Sequence, residues 1–550
     1  LGRNTGARKP WWRSISVAVL PVALVVAGCG GGGSTGGGGA GDGAISVFGT
    51  EPENPLVPGN TNEVGGGRVV DALFTRLFSY DSENAEPRKA MAESVETTDS
   101  KVFTIKIKQG WKFHDGTEVK AKNFVDAWNT TAYGPNGYQN ASFFEQVQGY
   151  DDVHPADPDG RSGPQQPPEP RAKEMSGLKV LDDYSFEVTL KEPFSVFPTK
   201  LGYSAYSPLP DAFFSDREAF EKHPIGNGPF EFVSRQVNAE IKLRRFEGYQ
   251  GEDKPKVKDL TFRIYQSMES AYQDILAGTL DFMEQVPPAA LAGGKYRTDL
   301  PDRYLEKDTL VIANLSFPQY RDEFTNPDLR RAISMAINRK EITERIFEGT
   351  RKPATGWAAP GLKGYQPNQC GEFCEYDPEK AKEYLAKSGY SGKITIQSNS
   401  DGGHKEWIEA TCNSIKNTLG LDCVFTPTTS FGEFRQLVNS HQMVGPYRTG
   451  WKADYPSIEN FLNPLYRTGA SSNDNGYTNP ELDAKLAEAD RATDEDQATK
   501  LYQEAERMLA KDMATIPLWT YTSTSGFSDR VTNVKVSPLN ELDLGAIQVK

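Results

Sequence analysis

The chain has 550 residues, 25% of them charged, and acids outnumber bases enough to set a formal charge of -14. Such a length can bury large cores and implies several domains or lobes. The acidic balance argues against a nucleic-acid partner, whose phosphates would be repelled.

Residues 1–28 carry Arg3, Arg8, Lys9 and Arg13 and no acid, followed by the apolar run "ISVAVLPVALVVAG". Fourteen residues are short for a spanning helix and suit a signal-peptide core. The run ends in Val26-Ala27-Gly28-Cys29, which resembles a bacterial lipobox, with Cys29 as the lipidated residue and new N-terminus. Gly30 to Gly43 is almost wholly Gly and Ser, so residues 29–43 read as a flexible tether. Cleavage after Gly28 removes the four cations and takes the formal charge from -14 to -18. No later apolar run approaches eighteen residues, so the expected location is outside the cell membrane, held by the lipid.

Beyond the tether, "AISVFGTEPENPLVP" reads as a strand entering a Pro/Asn loop, and "GGRVVDALFTRLFSYD" sets Val70, Leu73, Phe74, Leu77 and Phe78 on one helical face. In "KVFTIKIKQGWKFHDG", Phe103, Ile105 and Ile107 alternate as in a half-buried strand. The stretch from Gly149 to Met175 is proline-rich without apolar period, hence a surface excursion; its Asp157-x-Asp159-Gly160 lacks the other acids of a calcium loop. "DYSFEVTLKEP" and "IKLRRFEGY" are further strands, and from Thr261 onward strands and helices mix. "NPDLRRAISMAINRKEI" opens with an Asn326 cap and Pro327 at the first helical position, with Leu329, Ile333, Ala336 and Ile337 as its core stripe. "GKITIQSN", a helix over 404–419 and "LDCVF" form a strand–helix–strand unit.

After Cys29, four cysteines remain. An even number in an oxidising space points to two disulfides. Cys412 shares a helix face with Ile408 and Ile415, and Cys423 a strand face with Leu421 and Phe425, so the two point into one layer. Cys370 and Cys374 then close a small loop around Gly371; a four-cysteine zinc site fits the spacing poorly.

No arrangement of catalytic groups stands out. The five histidines are scattered, and neither a G-x-S-x-G elbow with a serine nor a phosphate-binding G-x-x-x-x-G-K-[ST] is present. The expectation is no enzyme, no cofactor and no bound metal. The one chemically pointed stretch is "GPYRTGWKADYP", where an acid lies between aromatic rings with an arginine six residues upstream. Read alone, Asp454 is a turn residue, or a partner for Arg448 along a bent strand.

Four stretches, "GWKFHDGTEVKAKNFVDAW", "HPIGNGPFEF", "FTNPDLRRAISMAINRKEI" and "GWKADYPSIENFLNPLY", resemble in order and spacing the extracytoplasmic solute-binding proteins of family 5, the oligopeptide- and dipeptide-binding lipoproteins of bacterial ABC importers. The resemblance covers essentially the whole mature chain. It implies a two-lobed α/β fold of the periplasmic-binding-protein type (class II, cluster C), with an extra subdomain. The lobes would be I over 44–78, 196–308 and 521–550, subdomain II over 79–195, and III over 309–520. It also implies a monomer that closes on an extended oligopeptide and docks on a permease driven by ATPase subunits. In the family, the aspartate of W-x-A-D-Y grips the peptide's α-ammonium, which here is Asp454. The same likeness makes Gly450 and Lys452 backbone partners of the peptide, Trp451 a pocket wall beside Tyr455, and Arg448 a partner of its anionic end. From the other lobe, the loop of Asn62, Glu63 and Val64 meets the ligand. Asn62 stands where the best-understood relatives have a glutamate, which bears on peptide length and charge. Alternatives left open are a non-peptide solute (metal chelate, haem, opine or oligosaccharide) and a secreted hydrolase with dispersed residues.

Overall fold

The computed structural model describes residues 43–157, 166–400, 402–429, 431–470 and 472–550. The signal segment, Cys29, the tether up to residue 42 and Asp159-Gly160 lie outside the described residues.

Two 13-residue strands, Tyr304–Ser316 and Thr515–Phe527, organise the molecule as an antiparallel pair. Their pairing runs from Tyr304 opposite Gly526 to Asp308 opposite Thr522, then shifts register and resumes with Ile312 opposite Thr520. The irregularity falls at Thr309–Val311, against Tyr521, whose carbonyl accepts the Thr309 hydroxyl at 3.0 Å. Such a break bends the strands locally. On one side of the pair, the sheet continues through Phe282–Met283, Ala44–Gly49, Asp259–Ile264, Glu240–Arg245 and Phe230–Gln236. On the other it continues through Tyr447–Lys452, Ile394–Asn399 and Cys423–Thr428. One sheet thus runs through the molecule, and its two long central strands carry this register shift and a second one between Ala313 and Asn314.

A separate four-stranded antiparallel sheet runs in the order Ala92–Glu96, Val102–Ile107, Ser185–Thr189, Leu178–Asp182. The helix Ala121–Ala132 covers it, setting Trp128 edge-on to Phe186 at 5.5 Å and Phe124 stacked on Phe186 at 5.9 Å. The alternation of Phe103, Ile105 and Ile107 buries all three in this core.

One helix is shorter than its apolar spacing suggests. It spans Val64–Leu73, so Val70 and Leu73 lie on it, but Phe74 is already extended, and Phe78 begins a short strand, Phe78–Tyr80. The cause is tertiary. The Leu73 carbonyl accepts the Gly228 N–H at 2.8 Å, and a side chain at Gly226 would meet that oxygen at 1.8 Å. The "PIGNGPF" glycines therefore allow a backbone-to-backbone approach that stops the helix.

The Asn326-capped helix is Pro327–Ala336; the Asn326 side chain accepts the Asp328 N–H at 2.9 Å, and all four expected core residues are buried. Cys412 is joined to Cys423 with Cα atoms 5.0 Å apart, and Cys370 to Cys374 at 5.7 Å. Replacing both members of the 412–423 pair by alanine is expected to cost about 3 kcal/mol, because the crosslink restricts the unfolded chain. Urea unfolding of the oxidised parent and the double variant measures it; equal midpoints would refute it.

Candidate functional site

All nine expected site residues line one cavity of about 1230 Å³. Asn62, Glu63 and Val64 reach it from the N-terminal part of the chain, and Arg448, Gly450, Trp451, Lys452, Asp454 and Tyr455 from the strand Tyr447–Lys452 and the turn after it.

That strand has a dressed edge and a bare one. It pairs with Tyr304–Ser316 from Tyr447 to Lys452, but on the other side, among the described residues, only Tyr447 meets a strand partner, Gln397. The Ala453 N–H bonds the Leu310 carbonyl at 2.9 Å, which fixes the alternation of an antiparallel pair. By that alternation the N–H and C=O groups of Gly450 and Lys452 point away from the pairing strand and toward the cavity side. An open edge of this kind can accept an added extended chain. Gly450 is exposed, and a Cβ there would come within 2.9 Å of the Ile312 carbonyl, so glycine keeps the strands close.

Asp454 follows directly. Its carboxylate Oδ2 accepts the Asn460 amide at 3.0 Å, while Asn460 Oδ1 accepts both the Asp454 N–H at 2.9 Å and the Trp451 indole N–H at 3.0 Å. Asn460 is buried at 1% exposure and locks acid and indole into one geometry. Among the described residues Asp454 forms no ion pair. Burial pushes its carboxyl up to about 6, against the Asn460 hydrogen bond and the more distant charges of Lys452 and Lys200. A desolvated acid without a counter-ion is a site prepared for a cation.

The internal pairing weighed for Arg448 does not form: it makes no ion pair among the described residues, and its buried Nε has no hydrogen-bond partner. It lies near His404, which burial and, second, the Arg448 charge push down to about 3, so that imidazole is neutral. Acid and guanidinium thus sit apart on one wall, each without a charged partner.

The remaining expected residues have side-chain commitments of their own. Lys452 pairs with Glu541, which also takes Arg68 at 3.3 Å. Against the cost of burial, those two cations hold the Glu541 carboxyl below its usual value. The Glu63 carboxylate turns back as the cap of helix Val64–Leu73, accepting the Gly66 N–H at 2.8 and 2.9 Å. It is therefore occupied, which leaves Asn62 and Val64 exposed at the cavity rim. Tyr455 is buried and donates to Glu459 at 2.6 Å.

Lys200, which sequence reasoning passes over, is 4% exposed. It donates to Gln146 at 3.0 Å and lies 5.7 Å from the Tyr455 ring, joining the two sides of the cavity by a cation–π contact. Nothing local to Lys200 announces this, whereas Asn460 stands inside the "GWKADYPSIENFLNPLY" stretch, six residues after the acid.

This is an architecture for holding a guest. Comparison with known proteins agrees: residues 86–473 match the model of the bacterial extracellular solute-binding proteins, family 5 (middle region). The oligopeptide-binding protein OppA of Bacillus subtilis is 26% identical over 548 residues, covering 94% of this chain and 95% of that one. OppA of Escherichia coli is 26% identical over 85% of each chain. Among solved structures, the murein tripeptide binding protein MppA of E. coli superposes with a TM-score of 0.79 at 21% identity, over 93% of this chain and 99% of that one. Haemophilus influenzae OppA in complex with RPPGFSPFR gives 0.77 at 23% identity, over 92% and 99%. The fold is the two-lobed α/β fold of extracytoplasmic binding proteins, and the protein is a binding protein rather than an enzyme. The chain belongs to the bacterial extracellular solute-binding proteins of family 5.

Proposed function

We propose that the protein captures oligopeptides between its two lobes and delivers them to the permease of an ABC importer, whose ATPase subunits supply the work. The observation that carries this reading is Asp454, a desolvated carboxylate without an ion-pair partner among the described residues, next to an open strand edge. The peptide's α-ammonium meets Asp454, and its backbone adds to the edge at Gly450 and Lys452. Trp451 walls a side-chain pocket, with Tyr455 beneath it. Arg448 receives the anionic end or an acidic side chain, and Asn62 and Val64 close over the ligand. The lobes divide at 308/309 and 520/521, on the two long strands, so that closure bends the sheet there; residues 79–195 ride with lobe I. Cys29 carries the lipid that ties a monomeric receptor to the outer face of the cell membrane, and the Gly-rich tether gives it reach. The names of the relatives, OppA in several bacteria, support peptides over the other solutes.

Native mass spectrometry of freshly purified protein is expected to reveal co-purified peptides, released on denaturation and sequenced by fragmentation. A released ligand that is a chelate, a sugar or haem would replace the peptide reading.

Asn460→Ala tests the positioning of the acid. Losing the amide that favours the carboxylate raises the Asp454 pKa further. Affinity for a free-amine peptide should drop about tenfold at pH 7.5, and its pH midpoint should move upward. An unchanged midpoint would leave Asn460 with a packing role only.

A further inference from the structure

Next to Asp454 the cleft buries a second acid and a cation of its own. Glu459 is 2% exposed and Lys200 4%, both line the same cavity, and neither forms an ion pair among the described residues. The Glu459 carboxylate accepts the Tyr455 phenol at 2.6 Å and the Asn463 amide at 3.0 Å. Lys200 ends the short helix Phe197–Lys200 and donates to Gln146 at 3.0 Å. Its ammonium also lies 5.8 Å from the Phe143 ring, 5.5 Å from Phe194 and 5.7 Å from Tyr455. Lysine is almost never fully buried unless paired, and ring faces with one amide answer only part of its charge. Tyr455 thus has Lys200 near its ring and Glu459 on its hydroxyl, with Asp454 one residue before it.

The other charges around these three groups are matched elsewhere. Lys452 pairs with Glu541, Asp490 with Arg467 and Asp71 with Arg76, while Glu145 is exposed. Tyr80, Tyr203, Tyr206, Tyr455 and Tyr502 are neutral, because burial pushes each phenol far above its usual value. Two acids against one lysine leave a single negative charge. Burial raises both carboxyls; against it Lys200 favours the ionised form of each, and the Glu459 charge disfavours that of Asp454.

We propose that Lys200 is a resident counter-ion for Glu459, which holds the amine site at one net negative charge so that one ammonium group from the guest completes it. This rests on the peptide reading above. Lys200 acts through the two carboxylates and does not touch the guest. Without it the site would hold two uncompensated acids, a state that favours taking up a proton over taking up the guest.

Calorimetry with trialanine and pentaalanine between pH 4 and 8 tests the proposal on Lys200→Met, Glu459→Gln and the two combined. Methionine fills the place of the lysine stem among the rings. Removing the cation should move the pH midpoint of affinity up by about one unit and tighten binding at pH 7.5 about fivefold, since the lysine repels the incoming ammonium. Glu459→Gln should do the reverse, with a midpoint about one unit lower and binding about fivefold weaker. The double variant keeps the net charge and should return to within about twofold of the parent, because the two residues act as one pair. Weaker binding in Lys200→Met with an unmoved midpoint would make the lysine merely structural and overturn the proposal. Single-variant shifts that fail to cancel in the double variant would overturn it as well. Should Lys200→Met fail to fold, Glu459→Gln decides alone, and a midpoint that stays at the parent's value overturns the counter-ion. These failures leave the peptide reading intact, whereas a parent protein that binds neither peptide at any pH would defeat both.

Discussion

Asp454→Asn is expected to lower affinity for a free-amine peptide by two or more decades and to leave the fold intact. The substitution keeps size and the contact with Asn460 but removes the charge that an ammonium group needs when closure excludes water. Truncating one partner of a buried charge pair costs about 2–5 kcal/mol, and each 1.4 kcal/mol is about a decade. N-acetylated peptides should bind the parent protein as weakly as free peptides bind the variant. Equal affinity for free and acetylated peptides, read by calorimetry, would remove Asp454 from amine recognition.

The same residue sets two pH dependences of opposite sense. In the unliganded protein burial holds the carboxyl at about 6, whereas its ordinary value is 3.8. The ammonium binds the ionised form, so affinity should be flat above pH 7 and fall as pH drops through 6. For folding, a raised pKa means that the native state takes up a proton between 3.8 and 6. Stability of the unliganded protein is therefore lost as pH rises through that window. Asp454→Asn removes this penalty and should stabilise the unliganded protein at pH 7.5 by about 2 kcal/mol, from 1.36 kcal/mol per pKa unit with a discount for partial solvation. At pH 3.5 the gain should vanish. Thermal melts at the two pH values measure it, and a variant less stable than the parent at pH 7.5 would contradict the desolvation argument.

Much of the architecture was legible because local chemistry and tertiary need agree. The Asn326-Pro327 start and its stripe of apolar residues announce a helix whose buried face is the announced one. The strand–helix–strand unit from Ile394 to Thr428 is found as Ile394–Asn399, Lys405–Leu419 and Cys423–Thr428. Where the reading overran, at Leu77 and Phe78, both are buried, so the apolar pattern was sound. A helix and a following strand share that pattern over so short a stretch, and the arbiter is a carbonyl contact with Gly228, far along the chain.

The site was legible for a different reason. The acid, the indole and the edge strand are contiguous, so the W-x-A-D-Y stretch carries most of one wall by itself. The opposing wall is not contiguous. Lys200, Asp71, Arg76 and Glu541 come from three distant segments, and each reads in sequence as an ordinary surface charge. Glu63 shows the converse: its place beside the ligand loop suggests a contact, yet the bare N–H of Gly66 claims its carboxylate first. Burial of a charge depends on which backbone groups are left unsatisfied around it, and that is fixed only when the lobes assemble.

Arg339 is another case of this kind, and its removal should be strongly destabilising. It is 3% exposed and has no carboxylate partner among the described residues. Instead its guanidinium donates to the Pro517 carbonyl at 2.7 Å, the Ser334 carbonyl at 2.9 Å, the Ser334 hydroxyl at 2.7 Å and the Cys374 carbonyl at 3.2 Å. One planar fork thus joins the long strand Thr515–Phe527, the end of the helix Pro327–Ala336 and the loop closed by Cys370 and Cys374. Burial brings its pKa down to about 10, which still leaves it charged at neutral pH. Arg339→Met fills a similar volume but orphans several buried acceptors, each worth about 1–3 kcal/mol, and should cost about 3–5 kcal/mol in all. Arg339→Lys should recover little, because a single ammonium cannot span acceptors that the fork reaches from separate nitrogens. Peptide affinity measured well below the melting temperature should stay near that of the parent, since Arg339 does not line the cleft. A urea midpoint for Arg339→Met equal to that of the parent would mean that water enters and satisfies those carbonyls. A midpoint restored in Arg339→Lys would mean that charge alone, rather than the fork, holds the three segments together.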